Sequence, residues 1–413
     1  MPPRILAENP MRVILFLMFL VIPFFPLLAQ GTLDSNKFHL SFTVNEAPEW
    51  TKLFHRESGW IGADGIYSIP LDGREHIGNS DSTKTLFIFS DTIYGSADEK
   101  EEDSGFHMIN SSYAILEGLQ PDADRLTFYK NKGKDGKEKS VFVPDRHIAE
   151  DGEYYWLGDG FVNRDQGNRL YIFGYRVRNT GAAVFGFEEV GNSLLIARPE
   201  SASAPAVSEA FRNLQQMRTP FFLRDSIDGS TGSFGAGILV NTPSAGVPGA
   251  DGYVYVYGVR GKRKELVVAR VKAGDFDHFD SWRYWDGTSW NPAVNSAVTV
   301  TDRVSNELSV SPLPDGRYAL IFQLDGIGRE VAMRVGLSPV GPFGPVVKLW
   351  SCPEPLANEN YYVYNAKAHP HLSQPGELLI SYNVNSFDFF NDLQNEPTLY
   401  RPRFIRLRLT ETQ

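Results

Sequence analysis

The sequence predicts an all-β chain wound as a five-bladed β-propeller, with strands from the N- and C-terminal regions pairing to close the last blade. Three observations carry that expectation. The 413 residues include 37 glycines, 26 prolines and 13% aromatic residues, and few stretches repeat apolar residues at helical spacing, as suits many short strands and turns. One unit recurs five times: a polar or glycine-rich opening, an alternating apolar strand, a turn and a second apolar strand. Its openings fall at Asp64, Asp159, Gly235, Glu307 and Asn365, at spacings of 95, 76, 72 and 58 residues, which marks a repeat of four-stranded blades. Lastly, FHLSFTV (38–44) and RFIRLRL (403–409) both alternate as strands do, and a ring must cover the two edges it would otherwise expose. A two-sheet sandwich also accommodates short strands with turn punctuation; the fivefold recurrence favours the propeller.

The elements follow in order. Arg4 and Arg12 precede the run VILFLMFLVIPFFPLLA, which ends in small and polar residues. That order reads as a signal peptide over residues 1–30, cleaved near Ala29 or Gln30, with Met11 an alternative start. Pro23 and Pro26 interrupt the run, so it is short for a membrane span. The expected product is secreted or periplasmic, one domain over residues 31–413, a monomer with no membrane attachment after cleavage. The first repeat is ADGIYSIPLDG with TLFIFSDTIYG, the second YWLGDGFVNRDQGNRLYIFGYRV, the third SFGAGILVNT with GYVYVYGVRG and ELVVARV. Ser208 to Met217 (SEAFRNLQQM) reads as a short helix in a connection. NELSVSPLPDGRYALIFQLDG and NAKAHPHLSQPGELLISYNVNS open the fourth and fifth repeats.

Charge and cysteine content narrow the function. The net charge is −10, which argues against nucleic acid and anionic membranes as partners; a neutral polysaccharide or oligosaccharide needs no steering. The single cysteine, Cys352, permits no intramolecular disulfide, so stability rests on core burial.

In a propeller the openings of different blades converge on one mouth. Asp64, Asp159 and Glu307 are therefore expected in a common funnel, with Asp91, after FIFS, leaning in beside Asp64. Grouped carboxylates suit glycoside hydrolysis, which needs one protonated acid and one ionised group, and like charges held close divide those roles. ADG and GDG are turn sequences too, so spacing alone leaves Asp64 open to a structural use; Asp315 in LPDG reads as a turn. His369 and His371 read as core histidines rather than ligands. Sugar sites also need apolar faces and amides. Trp60, Tyr67 and Trp156 beside the acids, and Asn110, Asn306 and Asn365 at inner-strand starts, are the candidates. Trp60 and Trp156 have packing between blades as their alternative. No spacing implies a cofactor or a metal at the site; a structural calcium on the axis is compatible with this reading.

DGIYSIPLDG, FIFSDT and INSSYAI near the start, with GELLISYNVNS and Tyr400-Arg401-Pro402-Arg403-Phe404 near the end, resemble the secreted five-bladed propellers grouped as domain of unknown function 4185. Some members of that group are endo-D-arabinanases, and the wider superfamily includes arabinanases, xylosidases, fructosidases and levansucrases. The resemblance implies a glycoside hydrolase acting on furanosides such as arabinan, with Asp64 and Asp91 at the two essential acid positions. This chain has FSDT where FGDT is usual and a longer insertion, Arg74 to Lys84, between the acids. Asp159 and Glu307 are added from blade geometry. A non-catalytic glycan-binding or cell-surface interaction propeller, or a transglycosylase, is the alternative.

Overall fold

In the computed structural model, which describes residues 35–75, 83–96, 106–181, 186–225, 229–247 and 249–410, the chain is dominated by antiparallel strands. The expected leader lies outside the described residues, as do 76–82 of the insertion between Asp64 and Asp91. Among the described residues no helix is long and apolar enough to cross a membrane.

Five sheets of four or more strands follow one another along the chain. Sheet one orders Tyr67–Pro70, Lys84–Phe89, Ser112–Glu117 and Leu126–Tyr129; its first three strands continue, after a break, as Ser58–Ala63, Thr92–Ser96 and His107–Ile109. Sheet two orders Tyr154–Asn163, Arg169–Asn179, Phe187–Ala197 and Gln215–Arg218. Sheet three is built on Thr231–Asn241, Tyr253–Arg260 and Glu265–Lys272, with Phe222–Arg224 along the far side of the first of these. Sheet four orders Leu308–Pro312, Tyr318–Gln323, Glu330–Gly336 and Val347–Ser351. Sheet five orders Tyr361–Ala368, Glu377–Ser386, Arg403–Leu409 and Phe42–Glu46. The last pairing joins the two ends of the described chain, Phe42 opposite Leu409 and Glu46 opposite Ile405. The N-terminal strand thus starts four residues later than the sequence pattern places it, because Ser35–Phe38 forms a 3-10 turn.

The leading strands of sheets one to five touch in chain order. Polar ties reinforce the sequence: Leu157 N–H donates to Ser90 Oγ (2.9 Å), Ile238 N–H to Asp159 Oδ2 (2.7 Å) and Ala368 N–H to Ser309 Oγ (2.8 Å). Sheet five reaches back to sheet one through Lys367 Nζ, which donates to the Ile66 carbonyl at 3.1 Å. Such ties satisfy backbone groups that a break in a ladder would otherwise orphan.

Apolar residues alternate inward and fill the space between sheets. Phe54 packs at 5.5–6.4 Å, centroid to centroid, on Phe87, Phe89, Trp60, Phe128 and Phe404, and burying one such ring contributes about 1.5–3 kcal/mol. The expected helix forms earlier, over Ala204–Arg212, with the Ser203 hydroxyl capping Ala206 N–H and Val207, Ala210 and Phe211 buried. Its expected second half is instead the edge strand Gln215–Arg218.

Candidate functional site

Four of the five leading strands are irregular at the position where the sequence repeat opens, and the fifth begins there. Sheet one breaks between Ala63 and Tyr67. The ladders of sheets two, three and five bulge at Leu157/Gly160, Phe234/Gly237 and Tyr364/Lys367. Sheet four's first strand begins right after Glu307. A bulge leaves residues unpaired and re-aims their side chains, and Asp64, Asp159, Gly235, Glu307 and Asn365 occupy those places.

Asp64 and Asp91 meet at the break. Ala63 pairs with Thr92, so the next ladder position sets Asp64 opposite Asp91, and Asp64 N–H donates to the Asp91 carbonyl at 3.2 Å. Gly65 turns the chain at φ +61°, where glycine carries no Cβ penalty. The serine that distinguishes FSDT from FGDT supplies the oxygen that receives Leu157 N–H from sheet two. Gly62 leaves room for the Tyr400 backbone, whose carbonyl would lie 2.0 Å from a Cβ there. Tyr400 comes close to Asp64 in consequence.

Asp64, Asp91, Glu189 and Glu307 all line one pocket of about 950 Å³. The Asp64 carboxyl accepts the Tyr364 hydroxyl at 2.8 Å, and the Tyr400 hydroxyl lies near it at the pocket wall. Burial raises its pKa, and the two hydroxyls act against that rise. Asp91 is pushed up to about 7, first by burial and then by the Asp64 charge, while Asn110 Nδ2, donating at 3.1 Å, opposes the shift. Glu307 reaches about 7 by burial, against the Lys367 ammonium paired with it and Asn365 Nδ2 donating at 2.7 Å. Glu189 also rises to about 7 by burial, and its Oε1 makes no hydrogen bond. Apolar surface faces these acids from Trp156, Phe187, Met108, Ile327, Tyr362 and Phe389; Trp156 packs edge-on against Phe187 at 4.4 Å.

Of the ten residues singled out in the sequence, Asp64, Asp91, Glu307, Trp156, Asn306 and Asn365 reach this pocket. The others stand elsewhere. Asp159 lines a separate, small cavity of about 40 Å³ with Tyr67, Lys367 and His369. Its two oxygens receive Gly160 N–H (2.8 Å) and Ile238 N–H (2.7 Å), so its visible work is to join sheets two and three. Tyr67 donates its hydroxyl to the Ala236 carbonyl at 3.0 Å. Trp60 is buried between Phe54, Phe89 and Phe128, because the bulge between Trp60 and Gly62 turns it away from the acids. Asn110 holds Asp91 rather than lining the pocket. The histidines are core residues: His369 lies 2.7 Å from Ser68 Oγ and 2.8 Å from Ser381 Oγ, and burial lowers the pKa of His371 to about 3. Asp315 caps its turn through Arg317 N–H. Among the described residues no cluster of His, Cys, Asp and Glu could hold a metal ion.

Sequence reasoning missed Glu189, Tyr364, Tyr400, Lys367 and Lys264. The adjacent Glu188 and Glu189 in a strand were the one available signal: of the two, Glu188 is the exposed one, paired with Arg178 at 2.8 Å at the pocket's edge, and Glu189 is the buried one.

The chain belongs to the family described as Domain of unknown function (DUF5005), which it matches over residues 48–409. That family, rather than domain of unknown function 4185, is the one the match supports. No curated protein is significantly similar to it. Among solved structures it shares its fold with a Bacteroides ovatus protein described as a "putative hydrolase", at 20% identity and a TM-score of 0.66, over 92% of this chain and 96% of that one. More distant are an exo-beta-1,3-galactanase from Phanerochaete chrysosporium (11% identity, 85% of this chain and 62% of that, TM-score 0.46) and an alpha-L-arabinofuranosidase from Podospora anserina (12%, 85% and 98%, TM-score 0.39).

Proposed function

We propose that the protein is a secreted glycoside hydrolase, a single five-bladed propeller whose axial pocket cleaves a furanoside-containing, arabinan-like polysaccharide. The observation that carries this reading is the Asp64–Asp91 pair, set face to face by a strand break at the wall of the large pocket. Two carboxyls so placed do not both ionise readily, so the pair shares a proton near neutral pH. Asp64, steadied by the Tyr364 hydroxyl with Tyr400 beside it, is the group that attacks the sugar carbon or activates water; Asp91 tunes it. Glu307 is tied to Lys367, whose ammonium favours its ionised form against the burial that lifts its pKa to about 7. Glu189, with an unpartnered oxygen and a pKa of about 7, suits protonation of the leaving oxygen. The aromatic and aliphatic rim offers stacking surface for sugar C–H faces.

Incubating the protein with arabinans, xylans, galactans and fructans, and measuring released sugars, tests the reading. Release from one of them that is lost in Asp64→Asn supports it. Glycan binding with no release from any would leave a non-catalytic glycan-binding propeller.

A further inference from the structure

The five sheets contribute different chemistry to the pocket. Sheet one brings Asp64 and Asp91, sheet two Glu188 and Glu189, and the approach to sheet four Glu307. Sheet five brings tyrosine hydroxyls and amides. The charged residues from sheet three are all cations: Arg224, Arg260 and, at the turn into its third strand, Lys264.

Pairing decides what these charges are free to do. Glu188 is bound to Arg178, Asp325 to Arg303 and Glu307 to Lys367. Arg260 is turned to Glu265 at 3.5 Å and to the Ala297 carbonyl at 3.0 Å. Arg224 forms no ion pair among the described residues, and neither does Lys264, whose ammonium donates to the neutral Asn306 Oδ1 at 2.9 Å. Burial lowers the Lys264 pKa, with the Glu189 charge acting the other way. A half-buried ammonium without a direct ion-pair partner is a costly arrangement. The backbone adds to the cost: Lys264 sits at φ +51° in the hairpin after Gly261, a position that glycine or asparagine fills with less strain. The residue that stands there is one that carries a cation to the pocket.

We infer that the sheet-three wall, through Lys264 with Arg224, binds an anionic substituent of the glycan, a ring carboxylate or a sulfate ester, so that the furanoside-containing substrate proposed above carries acidic groups along its chain. This rests on the reading that the pocket takes a glycan. Lys264 lies next to Asn306 and within the field of Glu189, so the anion would sit beside the proposed proton donor and set the register of the chain.

The test is binding to an array of matched oligosaccharides, each displayed neutral, with a uronic acid and with a sulfate ester. Acidic members are expected to bind about 10- to 100-fold more tightly than their neutral partners, the worth of a charge-assisted contact. The arm that gains names the anion. Lys264→Met should erase the preference without lowering the melting temperature, and Lys264→Arg should retain it. Equal binding of neutral and acidic partners, or a preference that survives Lys264→Met together with Arg224→Met, would overturn the inference and leave the glycan reading standing. Binding to no glycan on the array would overturn both.

Discussion

The Tyr364 hydroxyl donates to Asp64 Oδ2 at 2.8 Å, joining residues 300 positions apart in the chain. Asn385 Nδ2 donates in turn to the Tyr364 oxygen at 3.3 Å. The hydroxyl is therefore oriented, with its own proton directed to the carboxylate. A hydrogen bond to the ionised form lowers a carboxyl pKa. Tyr364→Phe should remove it, raise the Asp64 pKa further and move the acid limb of the rate profile to higher pH. Below that limb, hydrolysis should fall about tenfold for each unit of displacement. An unshifted limb would detach Tyr364 from the chemistry.

The Asp91 pKa of about 7, against an ordinary 3.8, makes a prediction about stability. A carboxyl whose pKa is raised on folding binds protons more tightly in the native state. Its contribution is most favourable below about 4 and is lost as pH rises through about 7. Asp91→Asn keeps an acceptor for Asn110 and removes the charge that faces Asp64. Its melting temperature should match the parent at pH 4 and exceed it at pH 8, while hydrolysis drops. Calorimetry at the two pH values decides; a lower melting temperature at pH 8 would show that the charge is stabilising.

What could be read in the sequence, and what could not, follows from the same geometry. Four of the five repeat openings fall at a strand break or bulge and the fifth, Glu307, just ahead of its strand, because a bulge must be written in residues that tolerate one, often glycine and small polar side chains. The Phe42–Glu46 pairing with the C-terminal strand was legible through its alternation. Side-chain direction near a bulge was not: one extra residue reverses the faces, which is why Trp60 entered the core although it precedes Asp64 by only four positions. Asp159 shares its motif with Asp64 but finds backbone amides on both oxygens. Tyr364 and Tyr400 sit far along the chain from Asp64, and Lys367 looks in sequence like an ordinary polar residue of a half-buried strand.

Asp159 provides a check on that distinction. If its work is to bind Gly160 and Ile238 N–H, Asp159→Ala orphans two buried donors at about 1–3 kcal/mol each. Denaturant unfolding should show the loss, whereas glycan binding per folded molecule should change little. Unchanged stability with lost binding would return Asp159 to the site.

Lys367 and Glu307 form an ion pair with side chains 2% and 10% exposed. Removing one member of a buried pair costs about 3–5 kcal/mol. Lys367→Met should be destabilised by that order, more at pH 8 than at pH 5, because Glu307 can take up a proton at the lower pH. Adding Glu307→Gln should recover most of the loss. Additive destabilisation in the double variant would show that the two groups do not depend on one another.

Glu189 is the remaining acid, and its assignment as proton donor can be separated from a merely structural one. A donor matters in proportion to the basicity of the group that leaves. Glu189→Gln should therefore slow hydrolysis of the natural glycan by about 10²- to 10⁴-fold. An aryl glycoside whose phenolate leaves without protonation should be cleaved at close to the parental rate. The pH profile with the natural glycan should also lose its basic limb, near the Glu189 pKa of about 7. Stability should not suffer, since burial already disfavours the Glu189 charge and Oε1 has no partner to lose. A variant equally slow on both substrates would place Glu189 in positioning, and a variant with full activity on the polymer would move the proton donor to Glu307 or Asp91.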